Sequence, residues 1–264
     1  MKLYQIYYDS DSKRTIDSKF IPLNNSNPSE PSWYEFEPIK KVLENENFND
    51  EEYVGFFSPR FFEKTGLTAA DVIKVVEKSK SEVISFSSDI EAGMSYINCF
   101  IMANQKHPGS LALAQKTYRN VGINLDLLKL VSCQQRTIYA NYWVAKYSFW
   151  KVWFSYAIKI YYLALNKNNL LYKKLNQDTF HRGTSNGYQF KIFIMERLIN
   201  ALLEFKEIDA EIGINYDKYF SFRNRKKVFI NALYLLNDYK TLFLKTRDKK
   251  YLDLFNNIII QTYK

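Results

Sequence analysis

All six prolines of this chain lie between Pro22 and Pro108, and none follows. Proline fixes φ and removes a backbone donor, so long helices are excluded from the first part and open to the second. The early residues must alternate short elements with loops. Charge divides at the same place. Residues 1–110 carry 12 Lys/Arg against 17 Asp/Glu, whereas residues 111–264 carry 25 against 11. A basic second part suits an anionic partner: a phosphate-bearing substrate, an anionic membrane surface or nucleic acid. A solvated basic surface accounts for it equally well.

Other functions are disfavoured by what the residues do not form. Hydrophobic residues make up 47% of 264, enough for a sizeable core. The two cysteines, Cys99 and Cys133, form no CxxC and no Cys/His cluster, so a structural zinc site is not expected and a reducing, cytoplasmic setting is. The N-terminus opens into a strand-like run without a secretory signal pattern. The longest apolar stretch, residues 147–165, is interrupted by Lys151, Ser155 and Lys159 at helical spacing, which predicts a packed amphipathic helix and not a membrane span. Neither GxGxxG nor a P-loop occurs, against dinucleotide enzymes and P-loop NTPases.

The patterning predicts strands at 2–8, 53–57, 82–86 and 137–146, with a short extended piece at 20–23. Helices are expected at 33–44, 68–80, 92–100, 111–118, 148–165, 189–205, 226–246 and 251–260, with a helical or tight turn at 125–130. Thr68 with Asp71 makes an approximate capping box. Strand, loop, helix, strand is the order of an open α/β sheet, whose ligands bind beyond the carboxyl ends of strands. That rule points to Tyr8 and Asp9, to Ser58 through Arg60, and to residues 87–89.

Five constellations can carry chemistry. Asp89, with Glu91 two residues on, is placed to hold a divalent metal such as Mg or Mn through substrate phosphates, or only to cap a helix. Arg60 and Lys64 are cations in a turn, fit for a phosphate or left in solvent. His107, in a His-Pro-Gly turn, is a proton shuttle or a structural histidine, and no nucleophile stands beside it in sequence. Glu196 sits in a largely apolar helix beside Arg197, as a general base or as half of an ion pair. Arg223, Arg225, Lys226 and Lys227 crowd five residues, fit for an anionic lipid surface or for nucleic acid. Nucleic acid is disfavoured, because no RNA-binding or helix-turn-helix signature accompanies them.

Four stretches carry a family resemblance: Phe20-Ile21-Pro22-Leu23-Asn24-Asn25 through Trp33-Tyr34-Glu35-Phe36; Tyr53-Val54-Gly55-Phe56-Phe57-Ser58-Pro59-Arg60-Phe61 through Lys64-Thr65-Gly66-Leu67; Tyr139-Ala140-Asn141-Tyr142-Trp143-Val144-Ala145-Lys146 through Phe149-Trp150; and Phe193-Ile194-Met195-Glu196-Arg197-Leu198. Together they resemble glycosyltransferase-like proteins of bacterial O-antigen and capsule clusters, nearest to galactofuranosyltransferase domains of O-antigen polymerases. The resemblance implies an α/β fold, a reduced GT-A-like, Rossmann-like open sheet with a helical C-terminal part. Residues 1–205 would be the catalytic domain and 206–264 a basic helical extension packed on it. It further implies a nucleotide-sugar donor (a UDP-sugar such as UDP-galactofuranose) and a lipid-linked glycan acceptor at the inner membrane face, with other glycosyltransferases as associates. Glu196 would be base or acceptor ligand. Tyr8, Asp9, Ser58, Arg60, Lys64, Asn141, Lys146 and Arg197 would hold the donor. An Asp-x-Asp metal element is reduced here to Ser87-Ser88-Asp89, which leaves metal dependence open. A non-catalytic membrane-peripheral assembly protein on the same fold, or a basic nucleic-acid binder, are the alternatives.

Overall fold

The structure is a computed structural model that describes residues 1–180 and 187–262. Strand β1 (Lys2–Tyr7) runs into the short helix α1 (Ser10–Arg14), capped by Asp9, and β2 (Ile21–Asn24) returns beside it in parallel. Pro31 opens a turn of 3-10 helix that ends at Trp33, so α2 (Phe36–Asn45) begins three residues later than the pattern predicts. Strand β3 (Tyr53–Phe57) pairs in parallel with β1. Next come α3 (Phe61–Thr65) and α4 (Ala69–Val76), whose Thr68 and Asp71 complete the expected capping box. Strand β4 (Val83–Ser85) leads into α5 (Ile90–Ser95), α6 (Cys99–Lys106) and α7 (Ser110–Asn120). One expected helix at 92–100 is thus two, divided where Asn98 caps α6 by accepting from the Phe100 and Ile101 N–H groups.

Strand β5 (Trp143–Lys146) is shorter than the alternation over 137–146 predicts. Ala140 and Asn141 take left-handed φ of 62° and 55°, which no strand accommodates. Helix α8 (Tyr147–Leu165) follows without a break. After α9 (Tyr172–Leu175), strands β6 (Asp178–Phe180) and β7 (Gly187–Gln189) form a two-stranded antiparallel ribbon. The helix expected at 189–205 stops at Arg197 (φ −92°, ψ 1°) and becomes α10 (Phe190–Glu196) and α11 (Leu198–Lys206). Strand β8 (Glu211–Ile212), α12 (Tyr216–Phe222), α13 (Lys227–Thr246) and α14 (Lys250–Thr262) complete the described chain. Among the described residues no helix is long and apolar enough to cross a membrane.

The main sheet is mixed and open, in the order β2-β1-β3-β5-β4-β8, with β5 the antiparallel member between β3 and β4. Period-2 alternation sends Tyr4, Ile6, Val54, Phe56, Trp143 and Ala145 into one core and Leu3, Phe57, Ile84, Phe86 and Val144 into the other. Strands buried on both faces read as continuous apolar runs, as Tyr53-Val54-Gly55-Phe56-Phe57 does. Helices α2, α6, α7, α8, α10 and α11 cover the first face. There the indoles of Trp143 and Trp150 stack with centroids 3.8 Å apart, and Trp150 Nε1 donates to the Val54 carbonyl at 2.9 Å. Helices α3 and α4 cover the second face together with Tyr219, Phe220 and Leu233 from beyond residue 205. That later segment also threads into the sheet: β8 pairs with β4, and the Gly213 N–H donates to Ser85 at 2.8 Å. A Cβ at Gly213 would lie 2.5 Å from the Phe86 ring, so only glycine lets the strand sit so close.

A lysine without a carboxylate partner among the described residues is held inside this arrangement. Lys240 of α13 is fully buried, and its Nζ donates to the carbonyls of Gly93 (2.5 Å) and Tyr96 (2.8 Å) at the end of α5. These are orphan acceptors of a helix terminus. Burial pushes the Lys240 pKa down to about 7, against the pull of Cys133, Cys99 and Glu204. The unfolded chain, near the ordinary lysine value, binds the extra proton between the two pKa values, so this group makes stability rise as pH climbs from about 7 to about 10. In urea unfolding at a series of pH values, the stability of wild type relative to Lys240→Met should increase through that window. A constant difference would show that Lys240 does not titrate there.

Candidate functional site

A cleft of about 480 Å³ opens where the sheet's chain directions converge: beyond the carboxyl ends of β1 and β3 and at the amino end of antiparallel β5. This is where open α/β sheets bind ligands. Aromatic side chains make most of its walls: Tyr8 after β1, Trp33, Tyr34 and Phe36 around the start of α2, Tyr188 of β7 and Phe193 of α10. Polar groups are few and converge: Glu35, Glu196, Asn141 and Lys64. An apolar cleft with a few aimed polar groups is the usual form of a small-molecule site.

The two carboxylates are fixed by one turn. The Ala140 N–H donates to Glu196 Oε1 at 3.1 Å, and the Asn141 side-chain amide donates to Glu35 Oε2 at 3.0 Å. Tyr8 OH reaches Glu35 Oε1 at 3.4 Å. Both turn residues are in the left-handed region. Tyr34 shares the cleft and is also strained, at φ 47°, ψ −120°; the Asn25 side-chain amide holds its carbonyl at 3.2 Å. Non-glycine residues at such dihedrals cost roughly 1–3 kcal/mol each and gather at functional sites. The break at Arg197 supplies the remaining piece. It ends α10 so that Glu196 faces the cleft while Arg197 turns into the interior, with Nη1 3.6 Å from Glu196 Oε2 and 3.2 Å from the Phe193 carbonyl.

Burial raises the pKa of Glu35, and the neighbouring charge of Glu196 raises it further; the Asn141 amide, Lys64 and Tyr8 hold it down in part. Asp89 stands at the rim, exposed to solvent yet walled by protein. This confinement raises its pKa, as do Glu196 and Glu91, against Lys106 and Lys64. Its carboxylate makes no cap hydrogen bond to α5, so the helix-cap reading does not describe it. Lys64 has no carboxylate partner among the described residues; its ammonium lies over the Tyr142 ring at 5.6 Å.

Of the residues singled out from sequence, Tyr8, Lys64, Asn141 and Glu196 meet in the cleft, and Asp89 lies close enough to feel Glu196 and Lys64. The others are placed elsewhere. Asp9 caps α1 at the surface, accepting from the Ser12 N–H at 2.7 Å. The Ser58 hydroxyl is buried and shares a hydrogen bond with Tyr142 OH. Arg60 pairs with Glu63 in solvent at 2.6 Å. Lys146 ends antiparallel β5 opposite Tyr53, at the end of the strands away from the cleft, and pairs with Glu51 at 2.6 Å. His107 is buried behind the cleft wall, its ring stacked on Phe193 at 3.9 Å and its Nδ1 3.4 Å from the Thr179 hydroxyl. Arg197 is buried in the same region.

Glu35 was not among the residues the sequence pointed to. Its signal was a lone carboxylate inside Trp33-Tyr34-Glu35-Phe36, a position that burial makes costly unless the charge is held. No group of three His, Cys, Asp or Glu residues placed to hold a metal occurs among the described residues. Glu91 is already engaged by Tyr219 OH (2.9 Å) and Arg225 Nε (2.7 Å). A divalent ion at Asp89 would therefore rest on that one carboxylate together with substrate phosphates, the usual way in which Mg is held.

Carboxylate signals followed by isotope-edited NMR should show Glu35 titrating above the ordinary glutamate range. Removing the neighbouring charge in Glu196→Gln should move that midpoint down, and Lys64→Met should move it up. A raised native pKa means that the native state loses stability as pH rises through it. An ordinary midpoint, unmoved by both substitutions, would show that the two carboxylates do not share an electrostatic environment. Comparison with protein-family models, with curated proteins and with solved structures finds no match to this chain.

Proposed function

We propose that this chain is a glycosyltransferase that moves a sugar from a nucleotide-sugar donor to a glycan acceptor, with Glu196 as the general base. The observation that carries the reading is the pair Glu35 and Glu196, held by one turn in an aromatic cleft at the strand ends. Aromatic faces suit the C–H faces of sugar rings, and carboxylates and an amide suit their hydroxyls. A mixed open sheet with a single antiparallel strand between parallel ones is compatible with a reduced GT-A-like fold. The resemblance over residues 1–205 supplies the reaction class, with a UDP-sugar donor and a lipid-linked acceptor in O-antigen or capsule assembly.

In this reading the acceptor hydroxyl lies against Glu196. The carboxylate takes the proton as the hydroxyl oxygen bonds to the anomeric carbon, and the bond from that carbon to the phosphate oxygen breaks with its electron pair leaving on the nucleoside diphosphate. The Ala140 N–H orients Glu196 through Oε1, and the Arg197 guanidinium stands 3.6 Å from Oε2. Lys64, which lines the cleft and has no carboxylate partner among the described residues, would meet the departing charge. Glu35, Asn141 and Tyr8 form a hydrogen-bonded set that fixes where acceptor hydroxyls can sit. A general base contributes about 10²–10⁴-fold to rate.

A second reading has one observation in its favour. A carboxyl with a raised pKa beside a second carboxylate is also the arrangement of a glycoside hydrolase, with Glu35 as acid and Glu196 as base or nucleophile. Nucleotide-sugar panels with isolated lipid-linked acceptors separate the two. Transfer that requires a nucleotide-sugar, and that falls by about 10²-fold or more in Glu196→Gln while nucleotide binding persists, is the expected result. Cleavage of aryl glycosides without any nucleotide would assign the hydrolase. Absence of nucleotide binding and of cleavage would leave a non-catalytic assembly protein.

A further inference from the structure

Residues 221–229 form a run in which every residue is exposed. It joins α12 to α13 and interleaves cations with large apolar side chains. Phe222 is 46% exposed, Val228 82% and Phe229 37%. Arg223, Lys226 and Lys227 make no ion pair among the described residues, whereas Arg225 is bound back to Glu91 at 2.7 Å. The segment is well braced. Asn224 takes a left-handed φ of 50°, the Arg225 N–H donates to the Phe220 carbonyl at 3.0 Å, and Phe222 packs over Gly66, where a Cβ would lie 2.9 Å from its ring. Phe62 of α3, 57% exposed, stands edge-on to Phe222 at 6.2 Å and extends the patch. Scattered exposed apolar residues need no explanation, but several held together on a rigid, cation-rich projection do.

We propose that residues 221–229, with Phe62, are a docking surface for an anionic lipid bilayer. Unpaired cations favour anionic headgroups, and apolar side chains beside them favour insertion to the acyl boundary. Nucleic acid would account for the cations. It would not account for Val228, an aliphatic side chain with no ring to stack on a base, which is the most exposed of the four. The placement also has a geometric result. Phe62 and Lys64 sit two residues apart on α3, so they face nearly opposite ways: one belongs to the patch and the other lines the cleft. The cleft mouth then lies about one helix diameter, roughly 10 Å, from the headgroup plane. Docking of this kind does not depend on the chemistry of the cleft.

Vesicle co-sedimentation of the full chain tests the proposal, with phosphatidylcholine vesicles compared with vesicles containing about one third phosphatidylserine. Binding only to the anionic vesicles is expected. Lys226→Gln with Lys227→Gln should weaken it about thirty-fold. Val228→Ser, at a position too exposed to matter for folding, should make the remaining binding far more sensitive to salt. Circular dichroism on each variant checks that the fold is kept. Equal partition to neutral and anionic vesicles, or unchanged affinity in the double variant, would overturn the proposal. So would failure to bind vesicles together with lysine-dependent binding of a random single-stranded oligonucleotide, which would assign the surface to nucleic acid instead.

Discussion

Two consecutive left-handed residues, Ala140 and Asn141, set the geometry on which the cleft depends. One donates its backbone N–H to Glu196 and the other its side-chain amide to Glu35, so a single turn joins two carboxylates that are more than 150 residues apart in sequence. The same turn ends the alternating run before it and begins β5, which lies at the centre of the sheet. Its position is therefore fixed on one side by strand pairing and on the other by two charge-assisted hydrogen bonds. Backbone strain persists only where surroundings determine it this fully.

The electrostatics of the cleft follow from that arrangement. Among the described residues, Glu35 and Glu196 share the cleft with one lysine, Lys64, and Asp89 lies close enough to feel Glu196, Lys64 and Lys106. The buried Arg197 guanidinium, 3.6 Å from Glu196 Oε2, offsets part of this negative charge from behind the cleft. Most of the chain's positive charge lies elsewhere, and part of it gathers on the exposed segment between α12 and α13. The polar groups of the cleft and the exposed cations thus belong to different parts of the molecule, though both are reached from α3.

The sequence made the strand-rich beginning and the helix-rich end legible because proline placement and period-2 alternation act locally. Tyr8 could be named because it borders a strand end, Glu196 because it interrupts an apolar helix and Lys64 because it is a cation in a turn, whereas Asn141 entered only through the family resemblance. Lys146 looked equivalent to them until strand direction was known: in an antiparallel β5 its side of the strand is the end away from the cleft. Arg197 and Glu196 are neighbours in sequence, and the helix break leaves Glu196 lining the cleft and Arg197 buried while their charged ends stay paired at 3.6 Å. Such a break depends on long-range packing that no local pattern encodes. Glu35 went unnoticed because its partners, Tyr8 and Asn141, lie 27 and 106 residues away.

The sixth strand has a consequence for how the chain is made. β8 closes the sheet with only Glu211 and Ile212, and Tyr219, Phe220 and Leu233 then seal the face that holds Phe57, Phe86 and Val144. Until those residues have left the ribosome, that face exposes phenylalanines and an unpaired β4 edge, the surface on which nascent chains associate with one another. The pairing is also among the most distant in the chain, so its loop entropy is met late. Biogenesis of this protein should therefore have its most vulnerable interval between the emergence of β4 and that of residues 211–233, by the close of which the cleft residues are already made and the smaller of the two cores is not yet covered.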